Sequence, residues 1–252
     1  MNFSLRALSL VSMALFFTVA CGSSSDDKQI VQKKEISKIV GATAEEKMAK
    51  TESAEASTIL KVDESKFVEG KHYVEILPEM QTDASPGKVE VVELMWLGCP
   101  HCYTLEPTML EYKKNHPDFV EFKQVPAMLN PSWASDAKTY YLAEMLDPTG
   151  EKEIVTQIFS AMHEQKRNFR KPGSVMRFFT QLGFTEEQVK NVQSSMAYKA
   201  KLTRAKEIGK ASQSNSVPAI IINGKYRTSP YMAGSDENLM QIINMLTKRE
   251  KG

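Results

Sequence analysis

Hydrophobic and polar positions fall into blocks of different period along the 252-residue chain. Lys88-Val-Glu-Val-Val-Glu-Leu-Met-Trp-Leu97 is almost continuously apolar, the pattern of a strand covered on both faces. Phe119–Val125 and Ala219–Ile222 predict two further strands. Asn223-Gly224 matches a two-residue hairpin turn and makes Lys225–Thr228 the return strand. A last helix is expected from Ser235-Asp236, because Leu239, Ile242, Ile243 and Leu246 line one helical face. The middle, roughly 131–211, reads as helical. Within it Thr185-x-x-Gln188 fits a capping box, expected to open the longest of these helices, and Pro172 sits where another would start. Strands and a helix, a helical block, then a hairpin and helix predict an α/β domain carrying a helical insertion.

The N-terminal part reads differently. Residues 1–20 carry one charge, Arg6, followed by an apolar stretch from Ala7 to Ala20, the layout of a bacterial export signal. Thr18-Val19-Ala20-Cys21 resembles a lipobox, with Thr18 where Leu is usual, and predicts a diacylglyceryl anchor on Cys21. Ordinary cleavage is the alternative; either route leads to an oxidising compartment. The expected location is therefore periplasmic, tethered to a membrane through Cys21. Residues 22–66 contain no aromatic residue, eight Lys and nine Asp or Glu, too little apolar surface to offset the entropy of ordering. The expectation for 21–66 is a polar tether or a short helical extension that pairs two copies. From Phe67 aromatics return. Residues 67–130 and 212–248 are expected to form one domain, with 131–211 inserted.

Composition narrows the function. Lys and Arg number 32 against 31 Asp and Glu, a net charge of +1, which excludes the basic bias of a general nucleic-acid binder. Beyond the N-terminus no run approaches the roughly 18 apolar residues that suggest a membrane-spanning helix. Three cysteines are too few for a disulfide-stapled scaffold.

Two of them stand in Cys99-Pro100-His101-Cys102, directly after the predicted strand. A c-type haem site needs His after the second Cys, where Tyr103 stands. A structural zinc site needs two more ligands, and His72, His116 and His163 have no ligand spacing. A structural disulfide closing so tight a loop constrains the unfolded chain little. The reading that remains is a redox dithiol at a strand-to-helix turn, needing neither metal nor organic cofactor. Cys99 at a helix N-terminus meets unpaired N–H groups and the positive end of the dipole. Pro100 suits the first helical position, and a protonated His101 adds positive charge. Each favours the Cys99 thiolate, and a stable thiolate is a good leaving group. Cys102 is expected one turn on, buried, closing the ring or resolving a mixed disulfide.

Glu93 interrupts the apolar strand six residues before Cys99. A buried carboxylate is costly unless paired or functional, so Glu93 is a candidate proton relay to Cys102; an outward-facing strand position is the alternative. Val217-Pro218 precedes the Ile-rich strand and is a candidate substrate-binding segment, presenting backbone to an extended peptide.

These segments, Phe67–Tyr73, Val91–Tyr103 with Glu106-Pro107, and Val217–Tyr226, resemble the DsbA family of thiol:disulfide oxidoreductases in the thioredoxin superfamily. The likeness covers about 67–248. It implies a thioredoxin fold with an inserted helical domain, Cys99 as attacking and leaving sulfur, Cys102 as resolving sulfur, Pro218 as a cis-proline facing the pair, and Glu93 as the family's buried acid. A depressed cysteine pKa and an oxidising potential are known family properties that the resemblance carries with it. It also implies reduced exported proteins as substrates and a DsbB-type membrane quinone reductase as the reoxidising partner. Met95-Trp96-Leu97-Gly98 and the 22–66 extension depart from the simplest members. Two rivals stay open: an isomerase or reductase using the same residues, which dimerisation through 22–66 would favour, and a peptide-binding adaptor using the surface near Pro218.

Overall fold

The computed structural model describes residues 64–252; the expected export signal, Cys21 and nearly all of the polar segment lie outside the described residues. Five strands, β1 (Val74–Glu75), β2 (Val89–Met95), β3 (Val120–Pro126), β4 (Ala219–Ile222) and β5 (Tyr226–Thr228), form one sheet in the order β1-β5-β4-β2-β3. β2 runs parallel to β3 and antiparallel to β4. The parallel pair needs a crossover, supplied by helix α1 (Pro100–Asn115).

All seven residues of β2 are buried, because helices cover both faces of the sheet. Helices α2 (Pro131–Leu146), α3 (Ile154–His163), α4 (Ser174–Gln181), α5 (Glu186–Ser194) and α6 (Met196–Ala211) lie between β3 and β4 in the chain. Tyr140, Phe159 and Phe179 from this block pack with Val92 and Leu94 of β2, so the block shares one core with that sheet face. A short helix α7 (Pro230–Ala233) precedes α8 (Asp236–Lys251). On the other face, Leu105 and Met109 of α1 and Leu239 and Ile242 of α8 pack on Val89 and Val91. Glu93 continues that row by strand alternation. The result is the α/β fold with a helical insertion that the pattern predicts, in the thioredoxin-like arrangement that the resemblance implies.

Several local expectations are refined. The first two predicted strands begin and end one or two residues from their predicted bounds, Ala219–Ile222 is found as predicted, and the two-residue β1 is too short to leave a periodic trace. Asn223 (φ 50°) and Gly224 (φ 67°) are both left-handed, as a type I′ hairpin requires. A side chain at Gly224 would bring Cβ to 2.4 Å from the Met80 carbonyl oxygen. The capping box forms, with Thr185 Oγ1 accepting from the Gln188 amide at 3.1 Å and Gln188 Oε1 accepting from the Thr185 amide at 2.8 Å. It opens the nine-residue α5 rather than the longest helix. Ser195 stops that helix and caps the 16-residue α6, its Oγ accepting from the Tyr198 amide at 3.2 Å. Pro172 stands before the cap of α4, which is Gly173.

Candidate active site

The strand-to-helix turn places the two cysteines unequally. Cys99 is the N-cap residue of α1, with Pro100 at the first helical position and no side chain capping the open N–H groups. Cys99 is 7% exposed and Cys102, one turn on, is 0% exposed; both are free thiols. The Cys99 thiol is lowered to about 6. The largest cause is the Cys102 thiol donating to its sulfur; burial opposes; the amides of Cys102 and His101 and the His101 charge add to the lowering. The lowering expected for Cys99 is present, but its leading cause is the partner thiol, and the His101 charge is the smallest named contribution. Cys102 is driven strongly upward, first by burial, then by its bond to Cys99 and the Cys99 charge, with a further push from Glu93.

Glu93 is 0% exposed, so the outward-facing alternative fails. Its register partner on β3 is Gln124, whose Nε2 donates to Glu93 Oε2 at 2.9 Å and to Glu106 Oε2 on α1 at 2.8 Å. One amide thus bridges two buried acids. Among the described residues, the Oε1 atom of each has no hydrogen-bond partner. Burial and the Glu106 charge push Glu93 up to about 8, against the Gln124 bond; burial raises Glu106. A carboxyl with so high a pKa keeps its proton at neutral pH.

Val217-Pro218 is a cis peptide bond, and the Val217 carbonyl oxygen lies 3.6 Å from Cys99 Sγ. From this point a groove of about 750 Å³ extends past His101, Pro218, Arg227, Tyr231 and Met232. The site residues Glu93, Cys99, Pro100, His101, Cys102, Val217 and Pro218 are therefore neighbours, whereas Cys21 lies outside the described residues. Among the described residues, no cluster of three or more His, Cys, Asp or Glu could hold a metal ion.

Sequence reasoning missed the supports. Trp96 stacks on Trp133 with ring centres 4.5 Å apart, and its Nε1 donates to buried Asp136 at 2.8 Å. Arg170 pairs with the same carboxylate. Gly98 makes room for the indole: a Cβ there would sit 2.4 Å from the Trp96 ring. His163 Nε2 lies 2.8 Å from the Leu97 carbonyl oxygen, and its ring stacks on Tyr103 at 4.8 Å, while the Tyr103 hydroxyl donates to Glu164. The helical block thereby grips the turn just before Cys99. The spacing of Cys102, Glu106 and Met109 (i, i+4, i+7) was a readable signal that Glu106 shares the buried helix face.

Comparison with known proteins agrees with this geometry. A thioredoxin family model matches residues 80–244. The thiol:disulfide interchange protein DsbA of Azotobacter vinelandii is 34% identical over 182 residues, covering 72% of this chain and 84% of that protein. The protein of the same name from Pseudomonas aeruginosa is 31% identical over 185 residues, covering 73% and 86%. A crystal structure of Pseudomonas aeruginosa DsbA superposes with a TM-score of 0.69 at 30% identity, over 74% of this chain and 96% of that one. With two unequal sulfurs at a helix start, a buried acid beneath them and this likeness over most of its length, the chain belongs to the DsbA family and is a thiol:disulfide oxidoreductase.

Proposed function

We propose that Cys99 is the sulfur that exchanges with substrates and Cys102 the sulfur that closes the ring. The asymmetry of the pair carries this reading: Cys99 sits at the open end of α1 with a depressed pKa, and Cys102 is fully buried and protonated. A substrate thiolate attacks Cys99 Sγ of the disulfide, the S–S bond breaks, and Cys102 leaves with the electron pair. Glu93, backed by Glu106, supplies the proton that Cys102 takes up. A second substrate thiolate then attacks the substrate sulfur of the mixed disulfide, and Cys99 departs as a thiolate. The substrate loses two electrons and the enzyme gains them. Pro100 and His101 shape the helix start beside Cys99. Val217 and Pro218 hold the substrate, the Val217 carbonyl accepting a backbone N–H beside the reacting sulfur.

The substrates are reduced exported proteins, and a DsbB-type membrane quinone reductase restores the disulfide. The protein works in the periplasm, held to a membrane by a diacylglyceryl group on Cys21. Residues 67–130 and 212–248 make up the thioredoxin-like unit, with 131–211 inserted. Cys99→Ser abolishes oxidation of a reduced substrate, and Cys102→Ala accumulates mixed disulfides on Cys99; retained oxidation in Cys99→Ser rejects the assignment. Globomycin leaves unprocessed precursor if Cys21 is lipidated, and unchanged processing rejects the anchor.

A further inference from the structure

We propose that Arg227 makes the groove beside Cys99 selective for peptides that carry a carboxylate close to the reacting cysteine. The inference rests on the reading of that groove as the substrate surface. Arg227 lies on β5, opposite Ile221 of β4 and Val74 of β1, and lines the groove with His101, Val217, Pro218, Tyr231 and Met232. It is the arginine among the described residues lining the groove, whose other walls are largely apolar or hydroxylic.

The guanidinium is anchored but not neutralised. Nη1 donates to the Ser212 carbonyl oxygen at 2.7 Å. Among the described residues, no hydrogen bond engages Nε or Nη2 and no carboxylate forms an ion pair with Arg227. Burial alone pulls its pKa below the usual arginine value, with no acid pulling it back up. Asp236 also lines the groove, at the first position of α8, where its Oδ2 accepts from Thr108 Oγ1 at 3.3 Å. It adds nothing to the Arg227 shift.

A cation partly stripped of water and lacking a counter-ion is costly, and an anion entering the groove relieves that cost. The Nε–Nη2 edge presents two parallel N–H donors, the fork that fits one carboxylate with two bonds. The bond to Ser212 holds the guanidinium in place beforehand, so less freedom is lost on binding. The groove therefore suits an extended peptide with apolar side chains and one Asp or Glu beside its cysteine. A lysine at that position meets like charge.

The test uses dithiol peptides that differ only in bearing Glu, Gln or Lys at successive positions flanking the attacking cysteine. The readout is the ratio of kcat/KM between charge variants during oxidation by the full chain, so a general loss of fit cancels. At one flanking position or more, Glu exceeds Lys by about five- to tenfold at low ionic strength, and the ratio shrinks at about 0.5 M salt. Arg227→Gln brings the ratio close to one, Arg227→Glu inverts it, and Arg227→Lys keeps part of it. A ratio near one at every position in the wild type, or a wild-type ratio surviving in Arg227→Gln, overturns the proposal. Tyr231, 95% exposed on the groove rim, separates the two levels of the argument. If Tyr231→Ala leaves kcat/KM unmoved for every peptide, substrates do not lie in this groove and both readings fall. If it lowers kcat/KM for all of them while no charge preference exists, only the role of Arg227 falls.

Discussion

The depressed pKa of Cys99 dictates how the redox potential of the pair varies with pH. Reduction delivers two electrons and as many protons as the dithiol retains. Below pH ~6 both thiols are protonated, and the potential falls by about 59 mV per pH unit. Above it Cys99 stays a thiolate while Cys102, driven upward, keeps its proton, and the slope halves to about 30 mV per pH unit. The stabilisation of the reduced form follows from linkage. A folded pKa lowered from 9.0 to about 6 contributes fully above the unfolded value and is lost as pH falls through the folded one. It amounts to about 1.4 kcal/mol at neutral pH and vanishes near pH ~5. That makes the disulfide about 30 mV more oxidising than one closed from ordinary thiols. The carboxyl of Glu93, pushed up to about 8, stays largely protonated below that pH and does not enter. Equilibration with glutathione buffers between about pH 5 and 7.5, followed by acid quenching and mass measurement of the dithiol fraction, gives the curve. A break near pH ~6 is expected. A single slope of about 59 mV across the range refutes the thiolate assignment.

Other substitutions probe the shell around the sulfurs. The Glu93 pKa is raised, so the cost of its carboxyl is absent below the unfolded value of 4.5 and grows as pH rises towards about 8. Glu93→Gln therefore raises unfolding stability by up to about 3 kcal/mol at neutral pH and by nothing near pH ~4, measured by urea denaturation; a gain of equal size at both pH values contradicts it. Gly98→Ala drives a methyl into the Trp96 ring, costs about 1–3 kcal/mol, and changes tryptophan emission as the indole leaves Trp133; unchanged emission contradicts it. Asp136→Ala removes the acceptor of Trp96 and the partner of Arg170. Because Arg170 is 38% exposed and can rehydrate, the loss is about 2–3 kcal/mol, below the full cost of breaking a buried pair, and a smaller loss by thermal or urea unfolding counts against that network.

What could be read from the chain was whatever is local. The apolar run of β2, the Asn223-Gly224 turn and the Leu239–Leu246 stripe each specify their own element, and each is found. Cys99, Pro100, His101 and Cys102 adjoin in sequence, so their chemistry was visible before any fold. Glu93 was visible as a charge in an apolar strand, but its partner was not. Gln124 reaches it through the β2–β3 register, which pairs residues 31 apart, and nothing local sets that number. The same limit hid His163, Asp136 and Trp133, which approach the turn only because the helical block folds back on the sheet. The helix cap at Ser195 was overlooked because the helical pattern continues across it, and a backbone break in a continuing pattern leaves little trace in composition.

In the proposed mechanism, the opposed acidities of two sulfurs one helical turn apart pose a kinetic difficulty, and the buried acids are its proposed answer. Exchange runs fastest when the departing sulfur has a low pKa. On the proposed roles, attack on Cys99 expels Cys102, the sulfur whose ionised form the site disfavours most. Attack on Cys102 would expel the better leaving group, yet Cys102 is fully buried and no substrate reaches it. Proton transfer resolves the conflict, since a sulfur protonated as it departs need not exist as a buried anion. That requires a carboxyl still protonated at neutral pH, and the Glu93–Gln124–Glu106 bridge provides one. A cation in place of Gln124 would hold both acids ionised by Coulomb attraction; a neutral amide shared between two carboxyls pulls the Glu93 pKa down too little to offset burial and the Glu106 charge, which keep Glu93 protonated. In the second step Cys99 departs, and its thiolate, stabilised by the hydrogen bond from the Cys102 thiol, needs no proton transferred to it. The proton is therefore held on the side of the pair where the leaving sulfur needs it.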